Sequence, residues 1–143
     1  MSLFTALDIN TSGLTAQRRR FEITSSNLNN AETTRTFEGG PYRRKDVVFQ
    51  NTAFGSALMA ADGGGGEGVE VGAVLDDYTS PFELRYEPAH PDADPVSGYV
   101  QFPNVNTSEE MINMMSAARS YEANIAAISI LKTMINRTLE LGK

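Results

Sequence analysis

The stretch TSEEMINMMSAARSYEANIAAISILKTMINRTLEL, residues 107–141, decides the fold. Its apolar residues recur at helical spacing and no proline follows Pro103, so one unbroken helix is predicted from Thr107 to about Leu141. Thr107 and Glu110 have the spacing of a capping box, which predicts the first turn. At roughly 1.5 Å per residue, the helix would be about 50 Å long.

Apolar residues lie on two sides of this predicted helix. One broad face carries Met111, Met114, Ala118, Tyr121, Ile125, Ile128, Ile135 and Leu139. A roughly opposite face carries Ile112, Ala123, Ile130, Met134 and Leu141. A helix that packs only within its own chain needs a single apolar stripe, so the second face indicates contact with other molecules. On this interpretation, Ile128→Asp should block assembly.

The N-terminal part of the chain also carries two series of apolar residues. One series recurs every seven positions at Leu7, Leu14, Phe21 and Leu28, and a second at Ile9, Ala16 and Ile23. At roughly 100° per residue, the two series lie about 160° apart. An antiparallel pair in which each helix buries one stripe against the other would cover only half of this apolar surface. Sustained seven-residue repeats favour coiled-coil contacts, so we expect both helices to pack against neighbouring molecules as well.

The segment between the helices is predicted to be β-rich. Alternating apolar residues and β-favouring types predict strands at 42–49, 69–75, 82–86 and 99–102, the third being the most regular. Residues 38–41 and 88–95 are predicted turns or loops, 53–61 are ambiguous, and 63–66 are a flexible glycine hinge. The predicted fold class is α+β: long N- and C-terminal helices packed side by side as an antiparallel coiled-coil-like pair, with a small β-rich domain inserted between them. The predicted units are 1–34, 35–104 and 105–143.

Composition excludes several classes of protein. The chain has 143 residues, with 12 Lys and Arg against 18 Asp and Glu, a formal net charge of −6. Nucleic acid is therefore not an expected partner, because phosphate binding needs basic surface. The chain has no cysteine, which excludes disulfides and thiolate chemistry. We expect no cleaved secretory signal at the N-terminus and no membrane span, since no run approaches about 18 apolar residues.

Catalytic and metal chemistry have little support. His90, Asp92 and Asp94 form the only candidate cluster, but no second histidine exists to complete a usual zinc set. A structural turn, with aspartate side chains bonding backbone amides, is the favoured interpretation. The Gly63–Gly66 run is followed by Glu67 and fails the phosphate-loop pattern. We expect no enzyme, metal, cofactor or small-molecule substrate.

Two basic clusters and a group of asparagines remain. Arg18-Arg19-Arg20 and Arg43-Arg44-Lys45 are either solvated surface or contacts with acidic patches of neighbouring subunits, and the sequence leaves both interpretations open. Asn27, Asn29 and Asn30 are poor helix-interior residues. They predict the end of the first helix, where side-chain amides can satisfy free backbone groups.

The asparagine-rich segment SSNLNNAETT, residues 25–34, resembles the N-terminal signature of the bacterial flagellar axial proteins, a family of rod, hook and related subunits. The matching positions are Ser26, Asn27, Asn30 and Thr33, while Asn29 stands where alanine is commoner. Further segments resemble the proximal-rod branch of that family: 40–43, 47–49, 86–88, 90–94, 98–100, 103–105, 110–111, 118–124 and 138–143. Ala89 departs from the glycine common in that loop.

The resemblance implies a structural subunit of the flagellar rod, the periplasmic shaft that transmits torque. It implies that the terminal helices form an inner tube and the middle segment an outer layer. The implied partners are copies of itself, other flagellar rod proteins and the flagellar type III export apparatus, which exports such subunits without signal cleavage. Contact of the outer layer with the basal-body ring or P-ring bushing is a further expectation, with the cell wall as the alternative.

A second class of protein also needs partner helices. A cytosolic coiled-coil adaptor or chaperone-like module would carry the same apolar stripes, and it would form a small defined oligomer. Co-purification with basal bodies separates the two classes. On either interpretation, the helices are expected to be poorly ordered until neighbours pack against them.

Overall fold

The computed structural model describes residues 3–52 and 68–141. It is an α+β fold: two long antiparallel helices enclose two small β-sheets in chain order, which confirms the predicted fold class. Helix α1 is Leu3–Asn29 and helix α2 is Thr107–Leu141. The ambiguous segment 53–61 and the glycine run 63–66 lie outside the described residues. No helix in the described ranges is both long and apolar enough to cross a membrane.

Helix α2 has the predicted bounds, but its N-terminal cap differs from the prediction. The Asn106 Oδ1 atom accepts hydrogen bonds from the backbone N–H groups of Ser108, at 3.0 Å, and Glu109, at 3.4 Å. Asn106 is therefore the capping residue, one position before Thr107. The capping box of Thr107 and Glu110 is wrong because the Glu110 carboxylate points away from the helix end into a buried cluster.

The first sheet is an antiparallel hairpin that packs on α1. Strand β1 is Lys45–Asn51 and strand β2 is Val69–Asp76. The register shifts at Val48 and Phe49, which leaves Gly72 as the extra residue of a β-bulge. A Cβ at Gly72 would meet the exposed side chain of Gln50, which would have to move to make room for it.

The second sheet pairs strand β3, Glu83–Tyr86, with strand β4, Tyr99–Phe102. Val100 and Phe102 of β4 are buried, whereas all four residues of β3 are exposed. The alternation of apolar and charged residues predicted strand β3 correctly, but its apolar residues Leu84 and Tyr86 lie on the surface and not in a core. Gly98, at φ 71°, turns the chain into β4, where a Cβ would lie 2.8 Å from the Tyr86 ring.

The seam between α1 and α2 is formed by small and polar residues of α1. A Cβ at Gly13 would lie 3.0 Å from Asn124 Nδ2, so the two helices approach closely there. Nearer the β-sheets, Arg20 donates to Asn113 Oδ1 at 3.3 Å. This seam lies between the two apolar series of α1, which occupy its flanks.

The second apolar series of α1 is covered in part by the chain itself. The backbone N–H of Val69 donates to Ser12 Oγ at 3.0 Å, which fixes the hairpin on this side of α1. Ala16 on the same side is 2% exposed, and Ile9 and Ile23 are half-buried. The hairpin β1–β2 therefore packs on part of this series, and the exposed parts of Ile9 and Ile23 stay predicted contacts with a neighbouring molecule.

Candidate assembly interface

Asn27 joins three elements of the fold at one buried point. Its Oδ1 atom accepts hydrogen bonds from the Tyr42 hydroxyl at 2.9 Å and from the Lys45 backbone N–H at 3.0 Å. Its Nδ2 atom donates to the Lys45 carbonyl at 2.8 Å and to Glu110 Oε2 at 3.0 Å. All four hydrogen-bonding positions of the amide are therefore used. Asn27 ties α1 to β1 and to α2, a role that the predicted helix cap did not anticipate.

Glu110 and Arg44 complete this buried cluster. Arg44 Nε lies 2.7 Å from Glu110 Oε1, and the Glu110 residue is 1% exposed. Partial burial is the largest single influence on the pKa of Arg44 and lowers it, but the hydrogen bond and the charge of Glu110, together with Asp46, outweigh burial and raise the pKa above its ordinary value. Tyr42, Asn27, Arg44 and Glu110 form what we call the polar tie.

The other signature residues shape the chain after α1. Asn30 Nδ2 donates to the Ser26 carbonyl at 2.9 Å, and Thr33 Oγ1 donates to Asn30 Oδ1 at 3.2 Å. The Tyr42 backbone N–H then donates to the Thr33 carbonyl at 3.0 Å. Asn30 thus has the predicted terminal role, and these contacts bring Tyr42 beside Asn27.

Helix α2 keeps its second apolar face on the surface. Ile112, Ile130 and Met134 are 64%, 62% and 50% exposed, and Ala123 is exposed between them. We call Ile112, Ala123, Ile130 and Met134 the ridge. Nothing in the described residues packs on it. A row of exposed aliphatic side chains on one helix is typical of a surface that packs against another molecule.

The broad face of α2 is divided between the seam and the surface. The half-buried members, on the side of α1, are Met114, Ala118, Ile128 and Ile135. The exposed members are Met111, Ile125 and Leu139, and Tyr121, at 37% exposed, lies between the two groups. On α1, the residues Leu7, Leu14 and Leu28 are half-buried and Phe21 is exposed. The broad face is therefore not one intermolecular stripe, and Ile128 belongs to the contact within the chain.

A groove opens between the helices on the side away from the hairpin. Its volume is about 250 Å³, and it is lined by Gln17, Arg18, Phe21, Ala117, Ala118, Tyr121 and Glu122. The Gln17 Oε1 atom is buried and has no hydrogen-bond partner. Such an acceptor is costly to leave without a donor, by about 1–3 kcal/mol.

The basic clusters mostly serve contacts within the chain. Arg44 belongs to the polar tie, and the Arg43 guanidinium lies 4.5 Å and 4.2 Å from the ring centroids of Tyr78 and Phe82. Arg18 and Arg19 instead pair with Glu22 on the exposed surface of α1. Only Arg18, Arg19 and Lys45 of the two clusters remain exposed for contacts with another molecule.

The His90 loop is built as a turn. The Asp94 carboxylate accepts from the Val96 backbone N–H at 3.0 Å and from the Ser97 hydroxyl at 2.8 Å, while His90 Nδ1 accepts from the Asp92 N–H at 3.1 Å. Within the described ranges, no group of three or more potential metal-binding side chains occurs. Asp94 bonds a backbone amide as the favoured sequence interpretation predicts, whereas the Asp92 carboxylate accepts from the Thr34 hydroxyl at 2.8 Å and pairs with Arg35.

The turn at Asp94 should be sensitive to acid. Hydrogen bonds from the Val96 N–H and then from Ser97 lower the pKa of Asp94 below its ordinary value of 3.8. A lowered native pKa means that the stabilisation is present above pH 3.8 and is lost as the pH falls through the native value. Ser97→Ala should move the pKa of Asp94 upwards in a carboxyl NMR titration. An unchanged pKa in this variant would contradict the assignment.

Comparisons with known proteins bear on both helices. A family model described as "Flagella basal body rod protein" matches residues 7–35, and one described as "Flagellar basal body rod FlgEFG protein C-terminal" matches residues 96–141. The two matches cover the segments that hold the signature and the ridge.

Relatives match over the whole chain. The flagellar basal-body rod protein FlgC of Bacillus subtilis is 44% identical, with 100% of both chains covered. FlgC of Salmonella typhimurium is 43% identical over 100% of both chains. FlgC of Borreliella burgdorferi is 41% identical over 99% of this chain and 98% of its own.

Proposed function

The chain belongs to the FlgC family of flagellar basal-body rod proteins, and we propose that this structural subunit assembles through its paired helices into the wall of a tubular shaft. The observation that carries the proposal is the exposed aliphatic ridge on α2, with Ile112 64% and Ile130 62% exposed. Burial of each such side chain against a neighbour stabilises an assembly by about 1.5–3 kcal/mol. Copies of this chain and other rod proteins are the partners that membership of the family supports.

Torque passes through such a wall because close-packed side chains resist sliding. The polar tie supports this role, since Asn27 links α1, β1 and α2 by hydrogen bonds of 2.8–3.0 Å. A load applied to the β-sheets would therefore reach both helices through a short, buried path. Residues 1–34 and 105–143 would form the inner layer, and residues 35–104 the outer one.

The remaining parts of the proposal concern position and delivery. The chain is a proximal-rod component with no enzymatic activity, and it reaches the rod through the flagellar type III export apparatus. Its outer segment meets the basal-body ring or the P-ring bushing. The names of its relatives, which describe rod proteins, support the structural role.

Fractionation tests the proposal directly. The chain should remain with detergent-resistant basal bodies purified from the bacterium that makes it, and it should be detected there by mass spectrometry beside other rod proteins. A cytosolic adaptor or chaperone-like module would instead stay in the cytosolic fraction as a small oligomer. Complete absence from basal bodies would contradict the proposal.

A second test concerns order in the isolated chain. Residues 136–140 of α2 are all exposed, whereas Glu110 and Ala117 are buried beside α1. We expect amide hydrogens of residues 132–139 to exchange faster than those of residues 113–121 in the monomer, because few contacts hold the distal end. In basal bodies the difference should disappear. Equally strong protection of the amide hydrogens of both segments in the monomer would contradict the proposal that the distal end of α2 becomes ordered on assembly.

A further inference from the structure

The groove and the ridge lie on opposite sides of the same helix. Tyr121 lines the groove and Ile130 belongs to the ridge. The nine residues between their positions correspond to a rotation of about 180° at roughly 100° per residue. One surface is concave and floored by Ala117 and Ala118, and the other is convex and built of long aliphatic side chains. Each molecule therefore carries both halves of a possible contact.

We infer that the ridge of one copy of this chain docks in the groove of the next copy. The inference rests on the proposed assembly through helices and specifies which surfaces meet. Small residues at a helix surface let another helix approach closely, and an isoleucine from the ridge is suited to the apolar opening between Phe21 and Tyr121.

Charged side chains lie beside both surfaces. Arg18 and Glu122 line the groove, and the exposed Arg119 lies about one turn before Glu122 on α2, between the groove and the ridge. Among the described residues, neither Arg119 nor Glu122 forms an ion pair within its own chain. Docking would bring Arg119 of one copy towards Glu122 of the next. Opposite charges at the edge of an interface favour this orientation over the alternatives.

The geometry also favours a second copy as the occupant. A contact between two different surfaces of identical molecules is heterologous, and it propagates from copy to copy instead of closing as a two-fold dimer. Two-fold docking of groove on groove would place two concave surfaces and two Glu122 carboxylates together. The ridge supplies the convex apolar shape that the groove lacks.

Cysteine cross-linking tests the contact because the chain has no cysteine of its own. Ala118→Cys marks the groove and Ile130→Cys or Ile112→Cys marks the ridge, each in a full-length chain expressed in the source bacterium. After mild oxidation of purified basal bodies, we expect a cross-linked dimer only where groove and ridge variants are present together. The equally exposed Thr133→Cys, which lies off the ridge, is the control and should give no dimer with Ala118→Cys.

Other outcomes of this experiment overturn the inference. Dimers from Ala118→Cys alone would indicate a two-fold contact. If the variants are present in basal bodies but form no groove-to-ridge dimer, another rod protein occupies the groove. Either result leaves the chain in the rod, so the proposed function would survive the failure of this inference. Absence of the wild-type chain from basal bodies would instead contradict the proposed function.

Charge reversal gives an independent readout if a cysteine variant does not assemble. Glu122→Arg or Arg119→Glu alone should reduce the number of copies per basal body about tenfold or more, since like charges would meet at the contact. Co-expression of the two single variants, or the double variant, should restore incorporation. Glu140→Arg, on an exposed site near the end of α2, is the matched control and should have little effect. Failure of the double variant to recover would contradict the pairing.

Discussion

Replacing Ile130 by aspartate is expected to exclude the chain from the rod and abolish motility while leaving the isolated molecule folded. Ile130 is 62% exposed on α2, so its loss removes little packing within the chain. A carboxylate buried between molecules without a partner would cost several kcal/mol at every contact. The measurements are motility, the amount of chain in purified basal bodies, and the circular dichroism spectrum of the monomer.

Ile128→Asp is the matched control, two residues away on the same helix. Sequence alone places Ile128 in the intermolecular stripe, but in the structure it is half-buried towards α1. This variant should therefore destabilise the monomer itself, by about 2–4 kcal/mol. Normal motility with Ile130→Asp would contradict the role of the ridge. An unfolded Ile130→Asp monomer would show that Ile130 supports the fold instead.

Arg44→Met should produce the largest loss of stability, about 3 kcal/mol, in urea unfolding of the monomer. The substitution keeps the unbranched aliphatic part of the side chain but leaves the Glu110 carboxylate buried without its positive partner. Removing one member of a buried ion pair costs about 3–5 kcal/mol, and the remaining hydrogen bond from Asn27 places this case at the lower end.

Two controls separate the polar tie from general effects of charge. Arg18→Met removes an exposed pair with Glu22 and should change the free energy of unfolding by less than about 1 kcal/mol. Adding Glu110→Gln to Arg44→Met removes the unpaired charge yet keeps an acceptor for Asn27. This double variant should recover most of the loss. If Arg44→Met and Arg18→Met have equal effects, the polar tie does not stabilise the fold.

The sequence predicted the bounds of the helices and strands better than it predicted the contacts between them. The bounds of α2 and the positions of the strands follow from local patterns, because periodicity, proline and turn residues act over a few positions. The polar tie could not be predicted in this way, since Asn27 and Glu110 are 83 residues apart. Glu110 was assigned to a capping box because its spacing fits one, but burial beside Arg44 gives its carboxylate a stronger partner.

The intermolecular interface was predicted in part. The ridge follows from counting apolar residues on the second face of α2, and it is exposed in the structure. The helix pair was predicted, but the part that Gly13 and Arg20 play in its seam was not, because neither residue belongs to an apolar series. The series containing Ala16 was assigned to a neighbouring molecule because a local pattern does not show that the hairpin buries Ala16.

The four hydrogen bonds of Asn27 restrict which amino acids can replace it. Aspartate would place a second carboxylate beside Glu110, and glutamine is one methylene too long. Leucine would leave all the hydrogen-bonding partners of the amide without a partner at this point. Asn29 is exposed at the end of the same helix, so its side chain is not fixed by a buried cluster of this kind. In lineages that retain Arg44 and Glu110, we therefore expect position 27 to admit a single amino acid while position 29 varies freely.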